Sequence, residues 1–130
     1  MSAPRLLFVD DDASVSHVLS IWLRRWGYDV ITAGSGQEAE RLLDERFDAL
    51  VLDLRLPGMR GDAFYYLATV RQPWLTPRAL FLTGEITEQA EVIVGATGCQ
   101  LLRKPFPMHE LLDAITAMAP LPASEVPRVS

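Results

Sequence analysis

Short uninterrupted apolar runs alternate along the chain with stretches whose apolar residues recur every three or four positions. The first pattern predicts strands buried on both faces of a sheet, and the second predicts helices that bury one side. The runs predict strands over residues 6–9, 28–32, 48–54, 78–83 and 100–103. The periodic stretches predict helices over residues 15–26, 62–72, 86–96 and 107–119, with a further helix that Ser35 caps and whose inner face is Ala39, Leu42 and Leu43.

Five strands that alternate with five helices predict an α/β fold: a doubly wound, five-stranded parallel sheet with helices on both faces. Short connections and right-handed crossovers leave few topologies, of which the strand order 2-1-3-4-5 suits five strands best. In that order the ligand crevice lies beyond the carboxyl ends of strands 1 and 3. A functional site is therefore expected at those two ends.

Length and composition indicate one domain. The 130 residues, 49% of them hydrophobic and 22% charged, suffice for a single core. We expect the domain to cover residues 1–119. Residues 120–130 carry three prolines and no periodicity, which predicts a flexible tail or the stub of a linker.

Charge and cysteine content narrow the classes of function. The net charge is −5, and the only adjacent basic pairs are 24–25 and 103–104, which predicts no direct nucleic-acid binding. No apolar stretch is long enough to span a membrane and the N-terminus lacks a signal-peptide pattern, so we expect a cytoplasmic protein without membrane attachment. The single cysteine, Cys99, fits a reducing compartment.

Acidic residues gather at the predicted crevice. Asp10, Asp11 and Asp12 follow strand 1, and Asp53 lies near the end of strand 3. Neighbouring strands are about 4.8 Å apart, which predicts that Asp53 lies within several ångströms of Asp10 or Asp11. Two carboxylates about 5 Å apart repel by roughly 3 kcal/mol at an effective dielectric near 20. The cluster thus needs a counter-charge, and oxygen ligands without His or Cys favour Mg²⁺.

The next two strands end in groups that complement these acids. Thr83 supplies a hydroxyl at the end of strand 4, and Lys104 supplies an ammonium group after strand 5. Phosphoryl transfer depends mainly on positioning and on neutralising charge on oxygen, and carboxylates are known nucleophiles toward phosphorus. The acidic cluster, the hydroxyl and the ammonium group together predict transfer of a phosphoryl group to an aspartate.

The segments "FVDDD", "LVLDLRLPGMRGD", "FLTGE" and "LLRKPF" resemble, in this order and spacing, the motifs of response-regulator receiver domains of two-component signalling. The resemblance covers about residues 5–119 and implies a flavodoxin-like fold. It implies a Mg²⁺-dependent phosphoacceptor, with Mn²⁺ or Ca²⁺ as substitutes, that assists only its own phosphorylation and dephosphorylation and is not an enzyme. The implied donor is a phosphohistidine on a sensor histidine kinase or a histidine phosphotransfer protein.

The resemblance also implies a metal-ligand set. Asp11 would bind Mg²⁺ directly, Asp10 would bind it through water, and the main-chain carbonyl of Arg55 would be a third protein ligand beside the carboxylate of Asp53. Asp12 is left over from this set, and helix capping is its expected role.

The same resemblance implies which residues take part in phosphoryl transfer. Asp53 would be the phosphoacceptor, Thr83 would bind a phosphoryl oxygen, and Lys104 would pair with the phosphoryl group or with Asp53. Receivers usually have a cis peptide bond before the proline that matches Pro105. At position 101, where many receivers carry Tyr or Phe, this chain has Leu101, so an aromatic switch is not available.

Several alternatives stay open at this point. The chain fits a phosphorelay receiver of a hybrid-kinase system, and it fits a module that keeps the fold but no longer accepts phosphate. "FVDDDAS" also matches a haloacid-dehalogenase-like phosphatase with Asp10 as nucleophile and Asp12 as acid. We further hypothesise an ion pair between Arg55 and Glu85 that shields the acyl phosphate. The output partner is expected to be a protein, and dimerisation on phosphorylation is undecided.

Overall fold

The sheet has the predicted topology. The computed structural model describes residues 3–122, with five parallel strands in the order β2-β1-β3-β4-β5. The strands are β1 (Arg5–Val9), β2 (Asp29–Ala33), β3 (Ala49–Asp53), β4 (Ala79–Thr83) and β5 (Gln100–Arg103). The predicted doubly wound α/β fold is confirmed.

Five α-helices connect the strands and follow β5. They are α1 (Ala13–Arg25), α2 (Gly36–Arg41), α3 (Gly61–Arg71), α4 (Glu88–Gly95) and α5 (Met108–Met118). The Asp12 carboxylate accepts hydrogen bonds from the main-chain N–H groups of Ser14 and Val15, at 3.1 and 3.2 Å. Asp12 therefore caps α1 as expected, and Ser35 caps α2.

Most element boundaries shift by one or two residues from the predicted ones, and the differences in α2, α4 and α5 have local causes. The second helix changes at Leu42 from an α-helix to a 3₁₀ turn, a tightening common at helix ends. The fourth helix begins at Glu88 because the Thr87 side chain caps it by accepting from the N–H of Ala90. Pro107 precedes α5 as its N-cap residue, with an extended backbone, and does not lie within the first turn.

Two separate apolar cores lie on the two faces of the sheet. One face packs against α1 and α5, through side chains such as Leu23 and Ile115. The other packs against α2, α3 and α4, through side chains such as Phe64 and Val94. All five residues of β3 and of β4 are buried, which accounts for their continuous apolar sequence.

Three tryptophans lie at the edges of the cores. Trp22 and Trp26 of α1 are partly buried and pack against each other at the border of the core, with ring centroids 5.9 Å apart. Trp74 packs locally and donates a hydrogen bond to the carbonyl of Phe47.

The predicted C-terminal tail is described only at its start. Leu121 is partly buried and packs against the α1 and α5 face, whereas residues 123–130 lie outside the described residues. Within residues 3–122, no helix is long and apolar enough to cross a membrane.

Candidate functional site

The strand order brings three carboxylates together at the carboxyl edge of the sheet. Val9 of β1 pairs with Leu52 of β3, so the residues that follow them, Asp10 and Asp53, are neighbours across the two strands. One carboxylate oxygen from each of Asp10, Asp11 and Asp53 lies within 4.8 Å of the others. The acidic cluster expected from the strand ends is therefore present.

Lys104 joins two of these acids. Its Nζ atom donates to Asp10 Oδ2 at 2.7 Å and to Asp53 Oδ2 at 2.8 Å. The main-chain N–H of Lys104 donates to the carbonyl of Thr83 at 2.7 Å, which fixes this residue beside the end of β4. The Lys104–Pro105 peptide bond is cis, as the resemblance implies.

The remaining oxygens of the two buried acids are held by main-chain groups. Asp53 Oδ1 accepts from the N–H of Arg55 at 3.0 Å, and Asp10 Oδ1 accepts from the N–H of Asp12 at 2.9 Å. Asp11, by contrast, is exposed. Two of the carboxylates are therefore fixed in orientation, and the third faces solvent at the mouth of the cluster.

Burial and charge act in opposite directions on the titration of this cluster. Burial raises the pKa of Asp53, although hydrogen bonds from Lys104 and from the N–H of Arg55 partly offset the effect. Burial also lowers the pKa of Lys104, but hydrogen bonds to Asp10 and Asp53 outweigh it and the net shift is upward. Lys104 is consequently held as the cation that neutralises the acidic cluster.

Replacing Lys104 with Met should destabilise the protein in the absence of divalent cations. The Asp10 side chain has no exposed surface and would lose its charged partner. We expect the free energy of unfolding to fall by about 2 kcal/mol, which is less than the cost for a fully buried pair because Lys104 is partly exposed. Urea unfolding at pH 7 measures this loss, and added Mg²⁺ should restore more stability to the variant than to the wild type. Arg103→Met, an exposed neighbour, is the control. Equal losses in the two variants would contradict the prediction.

The donor set fits a small hard cation. Among the residues that the structure describes, the side-chain ligand atoms of this cluster are all carboxylate oxygens, and neither His nor Cys belongs to it. Such a set is typical of Mg²⁺ or Ca²⁺ and is poorly suited to zinc. The side chains therefore match the cation that the sequence analysis expects.

Thr83 is buried beside the cluster and closes its own turn. Its hydroxyl donates to the carbonyl of Glu85 at 2.9 Å and accepts from the N–H of Glu85 at 3.3 Å. Both hydrogen bonds of the hydroxyl are therefore made to the main chain of the loop that follows β4. To bind a phosphoryl oxygen it would have to exchange these hydrogen bonds.

Two of the alternative hypotheses receive no support from the geometry. Arg55 and Glu85 line the same cavity, but no salt bridge joins them among the residues that the structure describes, so the proposed shielding ion pair is absent. The phosphatase alternative needs Asp12 as a general acid, yet the Asp12 carboxylate caps α1.

Gly61, which the sequence pattern does not single out, lies against the candidate acceptor. A Cβ atom on Gly61 would overlap the carbonyl oxygen of Asp53, closer than such atoms can approach, and would stand 3.0 Å from the carbonyl carbon of the same residue. The main-chain N–H of Gly61 also donates to the carbonyl of Leu54 at 3.0 Å. A glycine at the first position of a helix, directly after a turn, is the one sequence signal that could have indicated this close approach.

The fold and the site together define a doubly wound α/β domain of flavodoxin-like type, with an acidic, lysine-neutralised pocket at its topological switch point. The sequence model of the response regulator receiver domain matches residues 6–116. The chain belongs to the family of response regulator receiver domains.

Individual relatives agree with this assignment. The transcriptional regulatory protein CpxR of Escherichia coli strain K12 is 35% identical over 115 residues, which make up 88% of this chain and 48% of CpxR. The chain spans about half the length of the curated relatives it matches.

Solved structures show the same architecture. Chemotaxis protein CheY4 of Vibrio cholerae is 31% identical, with a TM-score of 0.80 over 90% of this chain and 99% of that one. A response regulator of Burkholderia pseudomallei, solved with a phosphorylated aspartic acid, a calcium ion and citrate, is 29% identical, with a TM-score of 0.78 over 86% of this chain and 66% of that one.

Proposed function

We propose that this receiver domain accepts a phosphoryl group on Asp53 in a Mg²⁺-dependent reaction. The observation that carries the proposal is the double contact of Lys104 Nζ with Asp10 and Asp53, next to an exposed third carboxylate on Asp11. This arrangement neutralises the acids and keeps one of them close to solvent. A purely structural ion pair would not need the third acid.

The chemistry follows from the positions of these groups. A carboxylate oxygen of Asp53 attacks phosphorus, the bond from phosphorus to the donor nitrogen breaks, and the imidazole takes its electron pair and then a proton. Lys104 pairs with a phosphoryl oxygen, and the Thr83 hydroxyl leaves its turn to bind another. Mg²⁺ held by Asp10, Asp11, Asp53 and the main-chain carbonyl of Arg55 would supply positive charge opposite the phosphoryl oxygens.

The proposed partners follow from the family. The donor is a phosphohistidine on a sensor histidine kinase or on a histidine phosphotransfer protein, in the cytoplasm. The change in charge and size at Asp53 biases a two-state surface through Thr83 and the loop to α4, and the output passes through protein contacts. The relative named above is a transcriptional regulator, but this chain carries a net charge of −5 and its adjacent basic pairs are only 24–25 and 103–104, which argues against direct nucleic-acid binding by the chain itself. We place the domain at residues 1–119.

Removing Mg²⁺ should stop phosphorylation. Treating the full chain with a small phosphodonor and Mg²⁺ should add the mass of one phosphoryl group, and a chelator should prevent the addition because uncompensated negative charge repels the donor. Intact-mass measurement follows the product over time. Asp11→Asn should raise the Mg²⁺ concentration needed for half-maximal rate, whereas Asp62→Asn, on α3, should not. Labelling that proceeds equally well with the chelator would contradict the proposal.

A further inference from the structure

Met59, in the loop that connects β3 and α3, packs against the first turn of α2. A Cβ atom placed on Gly36, the first residue of α2, would stand 2.8 Å from Cβ, 3.0 Å from Sδ and 3.1 Å from Cγ of Met59. The shortest of these separations is one that real Cβ atoms do not adopt. A glycine at position 36 therefore allows Met59 to lie directly against the helix.

The main chain between Arg55 and Met59 has little freedom to absorb a displacement. The ring of Pro57 fixes one torsion angle, and the N–H of Met59 donates to the carbonyl of Pro57 at 2.9 Å, which closes the turn around Gly58. Leu56 is buried in the core that faces α2, α3 and α4, and Met59 packs against the same core. A shift of Met59 is therefore passed along the loop to Arg55.

Arg55 connects this loop to the proposed metal site. Its N–H donates to Asp53 Oδ1 at 3.0 Å, and its main-chain carbonyl is one of the ligands proposed for Mg²⁺. Lys104 holds the carboxylates of Asp10 and Asp53 from the end of β5, independently of the loop. The position of the Arg55 carbonyl, by contrast, depends on how the loop packs against its surroundings.

On the basis of the proposed function, we propose that Met59 is a positioning residue, whose packing on Gly36 places the Arg55 carbonyl so that the site favours Mg²⁺ over Ca²⁺. Mg²⁺ requires a nearly ideal octahedron of oxygens at about 2.0–2.1 Å, whereas Ca²⁺ accepts a flexible geometry at about 2.3–2.6 Å. A small displacement of one ligand therefore weakens the binding of Mg²⁺ more than that of Ca²⁺. Residues that support metal ligands without binding the metal commonly tune its affinity in this way.

Replacing Gly36 with Ala tests this role. The added methyl group displaces Met59 and, through the loop, the carbonyl of Arg55. Calorimetric titration of the full chain with Mg²⁺ and, separately, with Ca²⁺ gives two dissociation constants. The Mg²⁺ constant should rise by about tenfold, at the lower end of the effects of residues that support metal ligands. The Ca²⁺ constant should rise by only about twofold, because Ca²⁺ tolerates a displaced ligand.

Variants of Met59 test the same contact from the side of the loop. Met59→Ala removes Sδ and Cγ from the contact with Gly36 and should also raise the ratio of the Mg²⁺ constant to the Ca²⁺ constant. Met59→Leu retains Cβ and Cγ and should keep the ratio close to that of the wild type. If Gly36→Ala does not fold, the comparison of Met59→Ala with Met59→Leu decides the question.

Two controls separate positioning from general effects on stability. Gly95→Ala makes the same chemical change as Gly36→Ala, but in open space at the end of α4, and should leave both constants unchanged. Ile115→Val lowers the stability of the opposite core without touching the loop after β3 and should also leave both constants unchanged. Urea unfolding without divalent cations measures the stability of each variant.

The outcomes distinguish the positioning role from the proposed function. Equal rises in the two constants, or no rise in either, would overturn the role of Met59 while leaving the proposed function intact. A rise in the ratio of the same size in Ile115→Val would also overturn it, because lost stability would then explain the effect. A wild-type chain that binds no Mg²⁺ would instead overturn the proposed function, and the positioning role with it.

Discussion

Replacing Asp53 with Asn should abolish phosphorylation of the chain. The wild type should gain about one phosphoryl group with a small phosphodonor and Mg²⁺, and the variant should gain none, because an amide oxygen is not a nucleophile toward phosphorus under these conditions. Intact-mass measurement after a fixed time gives the stoichiometry. Asp12→Asn is the matched control, since Asn caps a helix about as well as Asp and this side chain caps α1.

Loss of labelling in this variant should not reflect loss of folding. Burial raises the pKa of Asp53, so the folded state holds its proton at a pH where the unfolded chain releases it. Above the unfolded pKa the charged Asp53 therefore costs stability, and removing the charge should leave the free energy of unfolding unchanged or higher. Lys104 keeps Asp10 as a partner. A variant that is labelled as fully as the wild type would refute the assignment of the acceptor.

Replacing Gly61 with Ala should be the most destabilising small substitution near the site. The added methyl group would overlap the carbonyl oxygen of Asp53 and stand 3.1 Å from Cα of Leu54, both main-chain atoms that cannot rotate away. We expect a loss of about 3 kcal/mol in the free energy of unfolding, at the upper end of overpacking costs. Phosphorylation should also become slower, because the end of β3 must shift.

Gly95→Ala provides the comparison for this prediction. Beyond the backbone of its own helix, no atom lies within 4 Å of the position that a Cβ would take on Gly95, the last residue of α4. The same chemical change therefore meets open space. Alanine favours helix, and this variant should be as stable as the wild type or slightly more so. Urea unfolding of both variants at one pH measures the difference. If the Gly61→Ala protein is as stable as the Gly95→Ala protein, the prediction is wrong, because the main chain at Asp53 and Leu54 then shifts at little cost.

The strands and the acidic cluster could be predicted because they depend on local patterns and on one topological rule. A continuous apolar run such as residues 49–52 indicates a strand covered on both faces, and the strand order then places Asp53 beside Asp10. Lys104 was predictable for the same reason, as the residue after β5. The apolar periodicity and the order of the strands are therefore sufficient to predict that Asp10, Asp53 and Lys104 lie at one edge of the sheet.

Features that depend on close packing could not be predicted in this way. The contact of Gly61 with Asp53 is set by how the loop after β3 folds back, and nothing in the periodicity reports that distance. The absent pairing of Arg55 and Glu85 depends on the directions of two exposed side chains. Similarly, the apolar stripe of Ala39, Leu42 and Leu43 suggested one continuous helix and did not indicate the change to a 3₁₀ turn at Leu42.

The division of the apolar interior into two cores affects how the sequence of this domain can change. β3 and β4 are buried along their whole length and separate the layer of α1 and α5 from the layer of α2, α3 and α4. Distant sites that share no contacts respond independently to substitution. Each helical layer can therefore diverge during evolution without compensating changes in the other, as long as the strand residues between them retain their size.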